Sequence, residues 1–211
     1  MLGEEHYREI LIMGDLDVWA KIGIPILLAL ATFVATYLNG LRLTQRKEQL
    51  DLVERQLRDL YGPLVALCTA NEMAYHQAFR KLYRPGIPMW DAPRGDPERQ
   101  PTKEEVSAFH LWTKEVFMPL NREIFERVVH HTDLLIETEL PQCLLDLLAH
   151  ISAYEGLLKE WEDGNLSHHT PVIRFPGELK EYASTHYRCL KKEQTRLQGR
   201  KPKTSASLTR A

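Results

Sequence analysis

An uncharged apolar stretch that runs directly into a leucine heptad limits what this chain can fold into more than any other feature. From Ile22 to Leu38 seventeen residues pass without an acidic or basic side chain, and Asn39, Gly40 and Leu41 prolong the run. About 20 helical residues, each rising about 1.5 Å, span the roughly 30 Å hydrocarbon core of a bilayer. Residues 18–41 therefore read as a retained transmembrane helix. A signal peptide would need a basic leader, a shorter apolar core and a small-residue cleavage site. Here residues 1–17 carry Glu4, Glu5, Glu9, Asp15 and Asp17 against Arg8 alone. The competing reading is a buried core helix, because Ala29, Ala31, Thr32, Ala35 and Thr36 dilute the hydrophobicity. Pro25 falls in the first turns of the span, where its missing donor costs least.

Basic residues close to a span set its orientation. Arg42, Arg46, Lys47, Arg55 and Arg58 follow it, whereas Arg8 and Lys21 precede it. The expectation is an acidic extracytoplasmic leader over 1–17 and a cytoplasmic C-terminal domain. That describes a single-pass protein of the cell inner (plasma) membrane.

After the span, Leu43, Leu50, Leu57 and Leu64 repeat every seven residues, with Val53, Leu60 and Leu67 three positions after the last three. This heptad-like stem, residues 42–62, either packs along its own domain or pairs with a second copy as a short coiled coil. Gly62-Pro63 punctuates it, and proline's missing N–H and ring clash predict a kink there, a candidate hinge. The helical pattern resumes through Phe79 and Leu82. Residues 85–101 hold five prolines and two glycines, which predicts an irregular loop. Met89 and Trp90 are its large apolar pair and the candidate partner-binding contact.

Thr102 and Glu105 form a capping-box pattern that opens the next helix. Val106, Phe109, Val116, Phe117, Leu120, Ile124 and Val128 mark its inner face, with Pro119 as a predicted kink. A further helix begins near Pro141, carries Leu144, Leu147, Ile151, Tyr154 and Leu158 inward, and ends at Gly164. After a short extended piece at residues 172–175, the last helix spans about Pro176 to Leu197. The tail 199–211 reads as disordered. With no strand pattern, the fold class is all-α: one transmembrane helix, a helical stem, and an antiparallel bundle of about four helices over 63–198.

Composition narrows function by exclusion. The formal net charge is −2, so no global basic field argues for nucleic acid. Cys68, Cys143 and Cys189 are odd in number and widely spaced, which suits a reducing compartment and small buried apolar roles. No nucleophile elbow or phosphate-binding glycine pattern occurs, and no cofactor is expected. Acid–histidine pairs at i, i+4 are the weak metal candidates: Glu72 and His76, Glu126 and His130, Asp146 and His150. Two-metal bundles use the i, i+3 spacing instead. The plainer reading is surface or boundary ion pairs.

Three phrases recur together in a recognisable order: Leu60-Tyr61-Gly62-Pro63-Leu64, Val116-Phe117-Met118-Pro119-Leu120-Asn121-Arg122, and Phe175-Pro176-Gly177-Glu178-Leu179. On these the chain resembles a group of uncharacterised, mostly bacterial, single-pass membrane proteins with a helical cytosolic domain. The resemblance implies the architecture and brings no activity or catalytic residue with it. The leading expectation is a membrane-anchored interaction or scaffold module for a protein partner or for itself through the stem. The alternatives are a signalling or transport-accessory subunit working through Gly62-Pro63, and a metal-dependent bundle enzyme.

Overall fold

A computed structural model describes residues 3–83 and 100–199, with side chains from residue 23 onward. Met89, Trp90, nearly all of the proline-rich segment, and the tail from residue 200 lie outside the described residues. The chain divides into two units, Met1–Gln49 and Leu50–Ala211.

Every regular element among the described residues is helical. Helix α1 spans Gly3–Arg55 and contains Pro25. Its apolar part is bare: Ile24, Ile26, Leu27, Leu28, Leu30, Phe33, Val34, Tyr37, Leu38 and Leu41 are all exposed. Thr32 and Thr36 fold their hydroxyls back onto the carbonyls of Leu28 and Thr32, at 2.7 and 2.8 Å, which removes two donors from that surface. This segment is the one among the described residues that is long and apolar enough to cross a membrane.

The second unit shows how the chain handles its prolines. A π-helical turn, Gln56–Tyr61, precedes α2, Gly62–Met73. The Gly62 N–H reaches back five residues to the Leu57 carbonyl, and Pro63 then sits in the first turn of α2. In an α-helix the ring of Pro63 would collide with the carbonyl four residues earlier. The wider turn moves that carbonyl aside, so helical hydrogen bonding continues through Gly62-Pro63. Gly62 keeps helical torsions, φ −64° and ψ −54°. It must be glycine for another reason: a Cβ would lie 2.3 Å from the Leu57 carbonyl oxygen. The same solution recurs at Pro119. A π-turn, Thr113–Phe117, separates α4 (Lys103–Trp112) from α5 (Met118–His130), and Met118 N–H bonds to the Thr113 carbonyl. A third π-turn, Ala74–Phe79, leads to α3, Arg80–Tyr83. Two longer helices complete the unit, α6 (Gln142–Glu162) and α7 (Leu179–Leu197).

The helix signals read from local sequence have their expected counterparts here. Thr102 Oγ1 accepts from Glu105 N at 3.2 Å, and Glu105 Oε2 accepts from Thr102 N at 2.7 Å. Gly164 follows α6 with φ +83°, the left-handed geometry that glycine adopts without penalty.

One core joins α2, α5, α6 and α7, with Leu60, Tyr61, Leu64, Met118, Ile124, Leu144, Leu147 and Leu179 fully enclosed. Of the heptad leucines, Leu57 and Leu64 belong to this core, as do Val53 and Leu60, while Leu43 is exposed. From Val53 onward the stripe packs on its own domain. A second, aromatic cluster holds Phe79, Phe109 and Phe117, with Tyr75, Tyr83, Trp112 and Trp161 against it. Cys189 departs from the expectation of a buried thiol: it is exposed, whereas Cys68 and Cys143 are buried. It lies on α7, whose inner face is Leu179, Ala183 and Leu190.

Candidate functional site

Where the two clusters meet, the helices leave a cavity of about 460 Å³. That is within the 300–1,000 Å³ typical of small-molecule sites. Its walls come from elements far apart in the chain. α2 contributes Cys68, Asn71 and Glu72, and the turn after it contributes Tyr75 and His76. Thr113, Phe117, Met118 and Asn121 come from the segment around Pro119. α6 adds His150 and Tyr154, and the connection into α7 adds Ile173, Arg174, Phe175 and Gly177, with Lys180 on α7 itself.

The interior polar groups are neutral. Asn71 Nδ2 donates to Asn121 Oδ1 at 3.0 Å. Asn121, 3% exposed, turns its own amide N–H₂ toward the Met118 sulfur at 3.9 Å, a weak acceptor. His150 is 6% exposed and its Nδ1 lies 2.7 Å from the Ile173 carbonyl oxygen. A carbonyl can only accept, so Nδ1 carries the proton and Nε2 is the ring's acceptor. Burial pulls the His150 pKa below its ordinary value, outweighing the opposite pull of that carbonyl. Its ring is boxed edge-on by Tyr154 at 5.0 Å and Phe175 at 5.6 Å. Burial also raises the phenol pKa of Tyr154 and pushes the Cys68 thiol up to about 12, so both stay protonated at neutral pH. Thr113, 1% exposed, belongs to the wall, and its enclosed hydroxyl has no hydrogen-bond partner among the described residues. Charges stand at the exposed edge, where Lys180 is paired with Glu72.

Two of the three acid–histidine pairs separate in the fold. Glu72 pairs with Lys180, and His76 Nδ1 lies 3.3 Å from Arg80 Nη1. Glu126 and His130 do stay together: His130 Nδ1 lies 2.9 Å from Glu126 Oε2 on an exposed helix face. Asp146 accepts from Gln142 at 2.7 Å, while His150 points away from it into the interior. Among the described residues no three His, Cys, Asp or Glu side chains converge as a metal site would require.

Two polar clusters were not legible beforehand. His110 Nε2 and His169 Nδ1 lie 3.0 Å apart, and the His110 ring stacks on Trp161 at 3.9 Å. Burial lowers both imidazole pKa values, and each is lowered further by a neighbouring histidine. On the other side of the core, Ile136 N donates to the Tyr61 hydroxyl at 3.2 Å. Tyr61 and Tyr182 hydroxyls lie 3.4 Å apart, Tyr182 donates to Glu137 at 3.0 Å, and His186 Nε2 reaches the same carboxylate at 3.0 Å. This relay ties the π-turn at Tyr61 to α7 and to the 135–140 connection.

Comparison with protein families, characterised proteins and solved structures returns no match. Two of the three phrases singled out in the sequence border the cavity, through Phe117, Met118 and Asn121 and through Phe175 and Gly177. The third, at Tyr61-Gly62-Pro63, belongs to the core and the tyrosine relay.

Proposed function

We propose that this is a single-pass membrane protein of the cell inner membrane. Its C-terminal bundle of about four antiparallel helices lies in the cytoplasm and works as an interaction module held at the membrane surface. The observation that carries the reading is the uninterrupted exposure of the ten large apolar residues from Ile24 to Leu41. At about 2 kcal/mol per large apolar side chain, leaving them in water forgoes on the order of 20 kcal/mol. A bilayer removes that penalty, and the acidic leader and basic Arg42, Arg46 and Lys47 favour the N-out orientation. Confinement to a plane raises the bundle's effective concentration for a protein partner. Packing of Val53, Leu57, Leu60 and Leu64 into their own domain supports a stem that is integral to the bundle rather than free to pair with a second copy.

The test is alkaline extraction of native membranes combined with a reporter fused after Ala211. The full chain should resist extraction and the reporter should be active only in the cytoplasm. Replacing Leu30 and Val34 by Arg should release it, because each charge near the bilayer centre costs about 3 kcal/mol. A chain extracted like a soluble protein, or a reporter active only outside, would refute the reading.

A transducing subunit is the second reading, favoured by the π-turn below Pro63. Gly62→Ala is uninformative there, since a Cβ strikes the Leu57 carbonyl oxygen. Pro63→Ala restores an N–H without that collision. A passive tether should retain its in-cell crosslinks to partners in this variant, and a transducer should lose or exchange them.

A further inference from the structure

We propose that the cavity bordered by α2, α5, α6 and the connection into α7 is a binding site for an uncharged, planar heteroaromatic ring that carries both a hydrogen-bond donor and an acceptor. The placement of charge, the aromatic walls and the unused polar capacity select this class. The lining charges stand at the solvent edge, Glu72 and Arg174 exposed and Lys180 half-buried, so an ion deep in the cavity would be desolvated without a partner. Aromatic side chains enter from separate elements, Tyr75, Phe117, Tyr154 and Phe175, and ring faces and edges favour a flat aromatic guest over a bulky aliphatic one.

The lining polar groups also keep hydrogen-bonding capacity beyond the bonds they make to each other and to the backbone. His150 Nε2 is an acceptor, because Nδ1 is committed to Ile173, and no described residue donates to it. Asn121 has an amide N–H₂ directed only at a sulfur, and Asn71 keeps its carbonyl oxygen. A saturated hydrocarbon would leave all of these unmatched, at a cost that buried polar groups do not tolerate. A ring bearing an N–H or amide group and a ring nitrogen or carbonyl has a donor for the His150 and Asn71 acceptors and an acceptor for the Asn121 amide. The rim cation Lys180 is neutralised by Glu72, so an anionic substituent is not required for binding.

The experiment is ligand-observed saturation-transfer NMR on the full chain in lipid nanodiscs, with empty nanodiscs subtracted. Three probes of similar size are compared: nicotinamide, benzoate and cyclohexanecarboxamide. Nicotinamide should show transfer, while benzoate and cyclohexanecarboxamide should bind at least tenfold more weakly. Gly177 lines the cavity and its Cβ direction is empty within 4 Å, so Gly177→Trp fills the space without a backbone clash. That variant should abolish the nicotinamide signal while its far-UV circular dichroism stays unchanged. Three results would each overturn the proposal: equal binding of all three probes, preference for benzoate, or a nicotinamide signal that survives Gly177→Trp.

Discussion

Gly62→Ala tests whether the π-turn is what lets Pro63 sit inside a buried helix. The added methyl would lie 2.3 Å from the Leu57 carbonyl oxygen and 3.6 Å from its carbon. The offending group is backbone, so no side chain can swing aside. Relief by reverting to an α-turn is blocked too, because the Pro63 ring then meets the Asp59 carbonyl. Such a reversion would also rotate Val53 and Leu57 by about 100° relative to Leu64, taking them off the core. Either accommodation is an overpacking problem in a closed core, and costs about 3 kcal/mol. For a unit of this size that lowers the melting temperature by roughly 6–12 °C. Thermal unfolding of the full chain in detergent, followed by circular dichroism, reads it directly. Gly156→Ala on α6 is the matched control: nothing stands within 4 Å of its Cβ, and it should stabilise by about 0.5–1 kcal/mol. Equal melting temperatures for Gly62→Ala and the wild type would refute the account of the proline turn.

Further outcomes follow from the same geometry. Cys189 should react with a maleimide in the native protein while Cys68 and Cys143 react only after unfolding, as mass spectrometry of peptide adducts will reveal. Leu147→Ala, at a fully enclosed position, should cost about 2–5 kcal/mol by chemical denaturation, and parity with wild type would contradict the assigned core. The bidentate Arg122–Glu155 pair, at 2.6 and 3.0 Å, bridges α5 and α6 with both side chains nearly half exposed. A double-mutant cycle should therefore give a coupling below about 1 kcal/mol. His110, His150 and His169 all have pKa values lowered from an ordinary 6.5, so the unfolded chain binds more protons below that pH than the folded one. Stability should therefore fall as pH drops below about 6.5. The fall should be shallower in His150→Gln, as denaturation midpoints at pH 7.5 and 5.5 will report.

Much of this protein was determined by local sequence. The helical class, the Thr102–Glu105 cap, the Gly164 terminus and the bare apolar stretch from Ile24 to Leu41 all follow from periodicity, capping chemistry and hydropathy within a few residues. Those signals act over one or two turns, and one or two turns of sequence contain them. The sequence also indicated which faces point inward, as Leu57, Leu60, Ile124 and Leu147 show. What those faces meet is a different quantity. The relay from Tyr61 to Tyr182 joins residues 121 apart, the Asn71–Asn121 pair joins residues 50 apart, and the His150–Ile173 bond joins residues 23 apart. Nothing in the i, i+4 spacing of Asp146 and His150 reveals that the imidazole turns inward and the carboxylate does not. The prolines make the point most sharply. Pro63 and Pro119 were legible as obstacles to an α-helix. Whether the chain bends, breaks or widens a turn depended on the energy of the core around them, and that core holds its register only if the helix widens and continues.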